Sequence, residues 1–563
     1  MIRFITAFII LTHTLYAAAL PVKFSGNKTF SDRTLYEVIG LKPPLFFEFW
    51  KSEQKLDPNK VKALTPLIEN FYKSHGFYNA KAKSDIKDNT IVFLIKENEP
   101  IKVAKISAIS ALDIKPIIPF HNQDRFDPEA FVKSKKEIRK FYANHQYCNV
   151  ELNAKAYVDI EKNLAYIVYD VKPNEKCFFG KISIETKENI SPEIIKSLLY
   201  FKQGDPYSTE LIKRSYKEIY ANEGIDRVII DDSRHNGKSV PVDVKVSAYP
   251  KPIHIKAGAG FSSDEGINLL MGIKHRNILG DLKTVGIEAR YSQIKSYIQI
   301  FTDVPLVNHY RLGGNIAIKR EIYDGYNEES LITRVDLKRS IFPHRFRGSI
   351  FYEDIATTDS NDPINFPNGK LQIFSPEGSW EVDRRDSIIE PSKGYRLNAR
   401  VMGSIKSQLS DATYYKLFLS GSYHLPVSFG VTSFRLKYGA IKLLQGRIPP
   451  SYRFYAGGMN SNRAYNFRQL GPQNSNGDPI GAFSITEGSV ELRFPLSESF
   501  KAVLFTDITY LGDTTLPDYQ KPYISIGPGI RYKTPIGPIA LDVGFDFNDF
   551  SRFAIHFHIG ELF

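Results

Sequence analysis

A chain of 563 residues is too long for one ordinary core, so several domains are expected. It is 42% hydrophobic and 13% aromatic, with 39 Phe, 32 Tyr and only 2 Trp. The net charge of +12 raises nucleic acid as a partner, but Lys and Arg are spread along the chain rather than clustered. A solvated surface is therefore expected and no nucleic-acid partner.

Met1-Ile-Arg-Phe4 opens an apolar run to Leu15, followed by Ala17-Ala18-Ala19. One positive charge, a short apolar core and small residues predict a secretory signal peptide over 1–19. A single membrane anchor is the bland alternative, but the run is short and interrupted by Thr12, His13 and Thr14. No later stretch has the roughly 18 consecutive apolar residues of a spanning helix. The mature chain is thus expected to be exported, as a soluble protein or a β-barrel. Cys148 and Cys177 then lie outside a reducing cytoplasm. They form a disulfide or remain two small buried residues; spacing does not decide between these.

The amino-terminal half repeats itself. Tyr72-Lys-Ser-His-Gly-Phe77, Tyr142-Ala-Asn-His-Gln-Tyr147 and Tyr220-Ala-Asn-Glu-Gly-Ile225 occupy matched places. Each follows a helical pattern. Asp57-Pro58 and Asp127-Pro128 are helix-start signals, and Ser208 opens the third helix. Gly76 and Gly224 suit left-handed helix ends. Earlier helices start at Ser31 and at Ser191-Pro192, while Pro116 and Pro119 weaken the corresponding one in the second unit. Each unit reads strand, helix, helix, strand, strand over about 75 residues, small-domain size. Expected boundaries are 20–99, 100–175 and 176–250, with the rest of the chain over 251–563.

From Ile253 the periodicity becomes two. Ile253, Ile255, Ala257, Ala259 and Phe261 share one face; His254, Lys256, Gly258 and Gly260 share the other. Near the end, Phe553, Ile555, Phe557, Ile559 and Phe563 share a face, opposite His556, His558 and Gly560. The two histidines are expected to line a wet lumen. A β-sandwich gives similar alternation, but rarely so many long strands with a terminal aromatic. The length allows about sixteen membrane-spanning strands.

One stretch, Phe454 to Pro472, fits neither strand nor helix. Gly457, Gly458 and Gly471 break regular structure, and Asn460, Asn462 and Asn466 favour turns. Its aromatics and arginines suit a loop packed inside something, where an arginine needs a carboxylate partner. It resembles the sixth extracellular loop of the BamA/TamA outer-membrane superfamily (surface antigen D15 type), whose Arg-Gly-aromatic motif docks on the inner wall of a sixteen-strand barrel. The matching residues are Arg463, Ala464 and Tyr465, with Ala464 in place of the family's glycine. Glu487 to Leu496 resembles the family's twelfth strand and Val503 to Asp507 the thirteenth, with Thr509 where that pattern has glycine. Gly527 to Pro538 with Leu541-Asp542 resembles the hairpin leading to the last strands. The repeats resemble POTRA domains, and their number points to the TamA branch. The resemblance implies α+β POTRA repeats followed by an all-β transmembrane barrel, with the repeats in the periplasm.

No nucleophile elbow, zinc HExxH, P-loop or Rossmann pattern occurs, so no enzyme, cofactor or metal site is expected. Asp507 and Glu491 are better read as wall partners of Arg463 than as a hydrolytic pair. The resemblance implies assembly or translocation of unfolded outer-membrane or autotransporter-type clients through a lateral seam. That seam would involve Gly258, Ala259, Gly260, Ile559, Gly560 and Phe563. It also implies a large inner-membrane-anchored TamB-like partner. The alternatives are a dedicated two-partner secretion transporter and a passive pore with periplasmic adaptor domains.

Overall fold

The computed structural model describes residues 19–41, 55–234, 236–388, 390–497, 499–534 and 537–559. The expected signal segment, apart from Ala19, and the seam residues Gly560 and Phe563 lie outside these. Two compact units emerge: one holds the first two repeats and part of the third, the other holds the rest of the third repeat and the barrel.

In the first unit, Ser31 Oγ accepts from Thr34 N ahead of the helix Asp32–Val38. Asp127 Oδ1 accepts from Glu129 N and Ala130 N ahead of Pro128–Asn144, satisfying amides that a helix start leaves free. The first sheet runs in the order Lys55–Leu56, Leu20–Ser25, Thr90–Lys96, Lys81–Lys87. The second runs Lys102–Ser110, Leu164–Pro173, Val150–Asp159. In each, the strand after the long helix lies at the edge, with no strand on its outer side among the described residues. Tyr72 and Tyr142 are fully buried; their hydroxyls meet Glu97 at 2.8 Å and Ser110 at 2.5 Å. Cys148 and Cys177 form a disulfide, with Cα atoms 5.7 Å apart.

The third repeat departs from the predicted match. Its sheet, Phe178–Thr186, Ser239–Ala248, Ile225–Asp231, again places the strand after the helix at an edge. Tyr220, however, is exposed and stacks on Tyr216, while Ile219 fills the core position. The chain enters its next strand directly at Ile225, without the loop that separates Gly76 from Lys81, so the register slips by one residue. Gly224 is not left-handed, unlike Gly76 at φ +90°. A Cβ at Gly224 would press on the Arg276 carbonyl, so close approach is what demands glycine there.

The second unit is dominated by a closed barrel of sixteen antiparallel strands, each paired with its sequence neighbours. Outward positions carry exposed apolar side chains, including Ile255, Met271, Ile298, Ile318 and Leu436. Such a continuous apolar surface would drive aggregation in water and is the lipid face of a membrane barrel. Inward positions carry the charged partners described below. Turns between even and odd strands share one end with the third repeat. There Asp281 Oδ1 accepts from Ser191 N at 2.8 Å, Asp281 N donates to Asn189 O at 2.9 Å, and Tyr200 stacks on His309.

Candidate functional site

The connection between the eleventh strand, Gly430–Gly446, and the twelfth, Ser484–Pro495, folds into the lumen. Gly457, Gly458 and Gly471 have φ of +98°, +100° and +130°, so this path suits glycine. At the loop's tip Arg463 is 3% exposed. Its Nε donates to Asp507 Oδ2 and its Nη2 to Asp507 Oδ1, both at 2.9 Å. Nη1 donates to Glu491 Oε2 at 2.9 Å and to Asp542 Oδ2 at 3.3 Å. The backbone N–H of Arg463 also donates to Asp507, at 3.1 Å. The guanidinium lies 3.4 Å from the Phe505 ring centroid. This is a fork-on-carboxylate pair with cation–π support, in a setting where a lone charge would be costly.

Neighbouring loop residues extend the dock. Tyr465 donates from its hydroxyl to Asp546 Oδ2 at 2.6 Å, and Asn462 Nδ2 donates to Tyr523 O at 3.0 Å. Ala464 is buried and is not left-handed, so alanine stands without strain where the family pattern has glycine. Across the lumen, Tyr452 donates to Glu353 Oε2 at 2.7 Å, and the Tyr455 hydroxyl lies 2.9 Å from that of Tyr326. The loop is therefore moored on opposing walls.

The first strand, Ile253–Ser262, meets the last, Asp549–Ile559, over two registered pairs among the described residues: Phe261 with Ile559 and Ser262 with His558. Every other neighbouring pair shares at least seven. Gly258 and Ala259 lie on the stretch of the first strand without a described partner on that side, and Gly260 approaches the Ile559 carbonyl.

A polar tie joins this seam to the loop. His556, expected to face water, is instead 1% exposed. Its Nε2 lies 3.1 Å from the Arg463 carbonyl, which accepts. Its Nδ1 lies 3.4 Å from Ser263 Oγ and 3.3 Å from Asp264 Oδ1. Asp264 Oδ2 in turn accepts from Met459 N at 3.1 Å. The docked loop buries this face of the last strand, which is why His556 does not reach the wet lumen.

The Omp85 superfamily domain model matches residues 277–563, more than half of the chain. The chain belongs to the Omp85 superfamily. The surface antigen variable number repeat model (POTRA) matches residues 21–98 and 105–174. The chain is similar to the outer membrane protein assembly factor BamA of Nitratidesulfovibrio vulgaris, 22% identical over 94% of this chain and 70% of that protein. BamA of Neisseria meningitidis is 20% identical over 85% of this chain and 66% of that protein. The solved BamA of Haemophilus ducreyi lacking POTRA domains 1–3 shares the fold. Its TM-score is 0.57 at 15% identity, covering 82% of this chain and 99% of that one. The protein is an outer-membrane β-barrel whose POTRA repeats lie in the periplasm.

Within this Omp85 barrel, the sequence did not single out Gly544, Asp546, Tyr452 or Tyr455, and it placed Asp542 only in a hairpin and His556 only in a wet lumen. A Cβ on Gly544 would collide with the Arg463 carbonyl, so glycine is required for the loop to lie on the fifteenth strand, Gly537–Asp546. The signal was present as Asp542, Gly544 and Asp546 at alternate positions, one inward face with two acids and a gap between them.

Proposed function

We propose that this Omp85 protein assembles or translocates β-rich client proteins by opening the seam between its first and last strands. The observation that carries the reading is the ladder at that seam, two registered pairs among the described residues against at least seven at each other junction. A client strand in hydrocarbon cannot leave its backbone unpaired, and a short seam offers it an edge. The first strand suits separation. Ala257-Gly258-Ala259-Gly260 buries little side chain and loses more backbone entropy on ordering than a Val/Ile strand. Similarity to BamA assembly factors supports the reading. The edge strands of the repeats, Lys81–Lys87, Val150–Asp159 and Ile225–Asp231, are candidates for strand addition by clients or by a TamB-like subunit.

A disulfide between Ser262→Cys and His558→Cys, which are register partners, tests it. Oxidation is expected to abolish client assembly and reductant to restore it. Unchanged assembly with the seam locked would contradict lateral opening and leave secretion through the lumen.

A further inference from the structure

The lumen has two chambers of different electrical character. The one lined by the first strand, the last strand and the outer part of the docked loop holds about 880 Å³. Its acids, Asp264, Glu265, Glu288 and Glu487, are matched by Arg290, Lys437, Arg453 and Arg468. The other, about 1020 Å³, lies at the end nearer the third repeat and is roofed by Met459, Asn460 and Arg463 of the loop. Fifteen of its lining residues are Lys or Arg and four are Asp or Glu. That surplus is close to the net charge of the whole chain, +12. Fifteen of the chain's 74 Lys and Arg are thus brought to one inner surface by strand alternation: Arg345 with Arg347, Arg396 with Arg400, Arg435 with Lys437 and Arg531 with Lys533 each share an inward face.

Many of these cations are already partnered. Arg396 pairs with Glu381 at 2.6 Å, Arg385 with Asp383 at 2.9 Å, and Arg493 with Glu491 at 2.7 Å. Arg347, Arg400 and Arg435 form no ion pair among the described residues, and all three line the chamber. Like charges gathered in a confined, poorly screened space repel one another, and an anion relieves that repulsion. Eleven of the fifteen are arginine, whose planar fork binds two oxygens of one oxyanion. A terminal phosphate brings about −1.5 to −2 of charge and three acceptor oxygens, more than a carboxylate, while a phosphodiester headgroup presents a single charge on its two free oxygens to the same fork.

We propose that this basic chamber is a binding site for a phosphate-bearing anion, held chiefly by Arg347, Arg400 and Arg435. The phosphate belongs either to a lipid headgroup or to a soluble polyphosphate. The site does not rest on client assembly, because Arg347, Arg400 and Arg435 stand on strands paired with neither the first strand nor the last.

The test is calorimetric titration of the full-length protein in neutral detergent. The probes are sodium tripolyphosphate, dihexanoyl phosphatidylglycerol against dihexanoyl phosphatidylcholine, and a decaglutamate peptide. A phosphate probe is expected to bind, to weaken as salt rises, and to lose about tenfold or more in affinity in the combined variant Arg347→Gln, Arg400→Gln, Arg435→Gln. Retained heat-modifiable migration on gels shows that the variant is folded. If it is not, Arg400→Gln alone serves, with a smaller loss in the same direction. Binding of tripolyphosphate alone supports a soluble source; binding of phosphatidylglycerol alone supports a lipid source. Binding of neither, equal binding by the folded variant, or tighter binding of decaglutamate would each overturn the proposal, the last in favour of an acidic polypeptide.

Discussion

Removing Arg463 would leave Asp507, 1% exposed, with its charge facing Glu491 and Asp542. Loss of one partner from a buried pair typically costs about 3–5 kcal/mol. Arg463→Ala and Asp507→Ala are each expected to lower barrel stability by that order in urea unfolding, while the double variant falls well short of the sum. Additive losses would contradict a shared interaction. Gly544 gives a second residue-level expectation, because its added methyl would meet backbone rather than a side chain that can swing aside. Gly544→Ala is expected to cost about 1–3 kcal/mol and to lift the loop tip. Trypsin cleavage after Arg463, expected to be blocked in the parent protein by burial and to appear in the variant, is the measurement; equal protection in both would contradict the contact. Arg463, Asp507 and Glu491 were legible in the sequence because motif and charge both pointed at them. Asp542 and His556 were not, since nothing local says that a loop some eighty to ninety residues upstream lies on their strands.

At the scale of elements, alternation made the barrel strands legible, and cap residues marked most helix starts. Registers were less so. Tyr220 matched Tyr72 and Tyr142 in spelling, but a shorter helix-to-strand connection turned it outward. The cysteine pairing depended on how Gln146 to Cys148 meets the start of the third repeat. Cys177 N donates to Gln146 O at 2.7 Å, which brings the two side chains together. The disulfide closes a separation of 29 residues, for which chain entropy gives about 3–4 kcal/mol. Cys148→Ser with Cys177→Ser is expected to lower the melting temperature of the periplasmic transition in the full chain. An unchanged transition would show that neighbouring packing alone holds this junction.

At the scale of the whole molecule, strand closure decides what composition could not. Basic residues spread along the sequence become one inner chamber, and apolar residues at alternate positions become one lipid face. The docked loop and the seam are contiguous: His556, on the last strand, reaches the Arg463 carbonyl. Lateral opening requires that clients add to the edge of the first strand. A photo-crosslinking residue at Ala257, outward on that strand, is compared with one at Val335, outward on the sixth strand, Tyr326–Ile341, which is paired on both sides. During assembly of an outer-membrane client, covalent adducts are predicted at Ala257 and not at Val335. Productive assembly without adducts at Ala257, or with equal adducts at both positions, would contradict it.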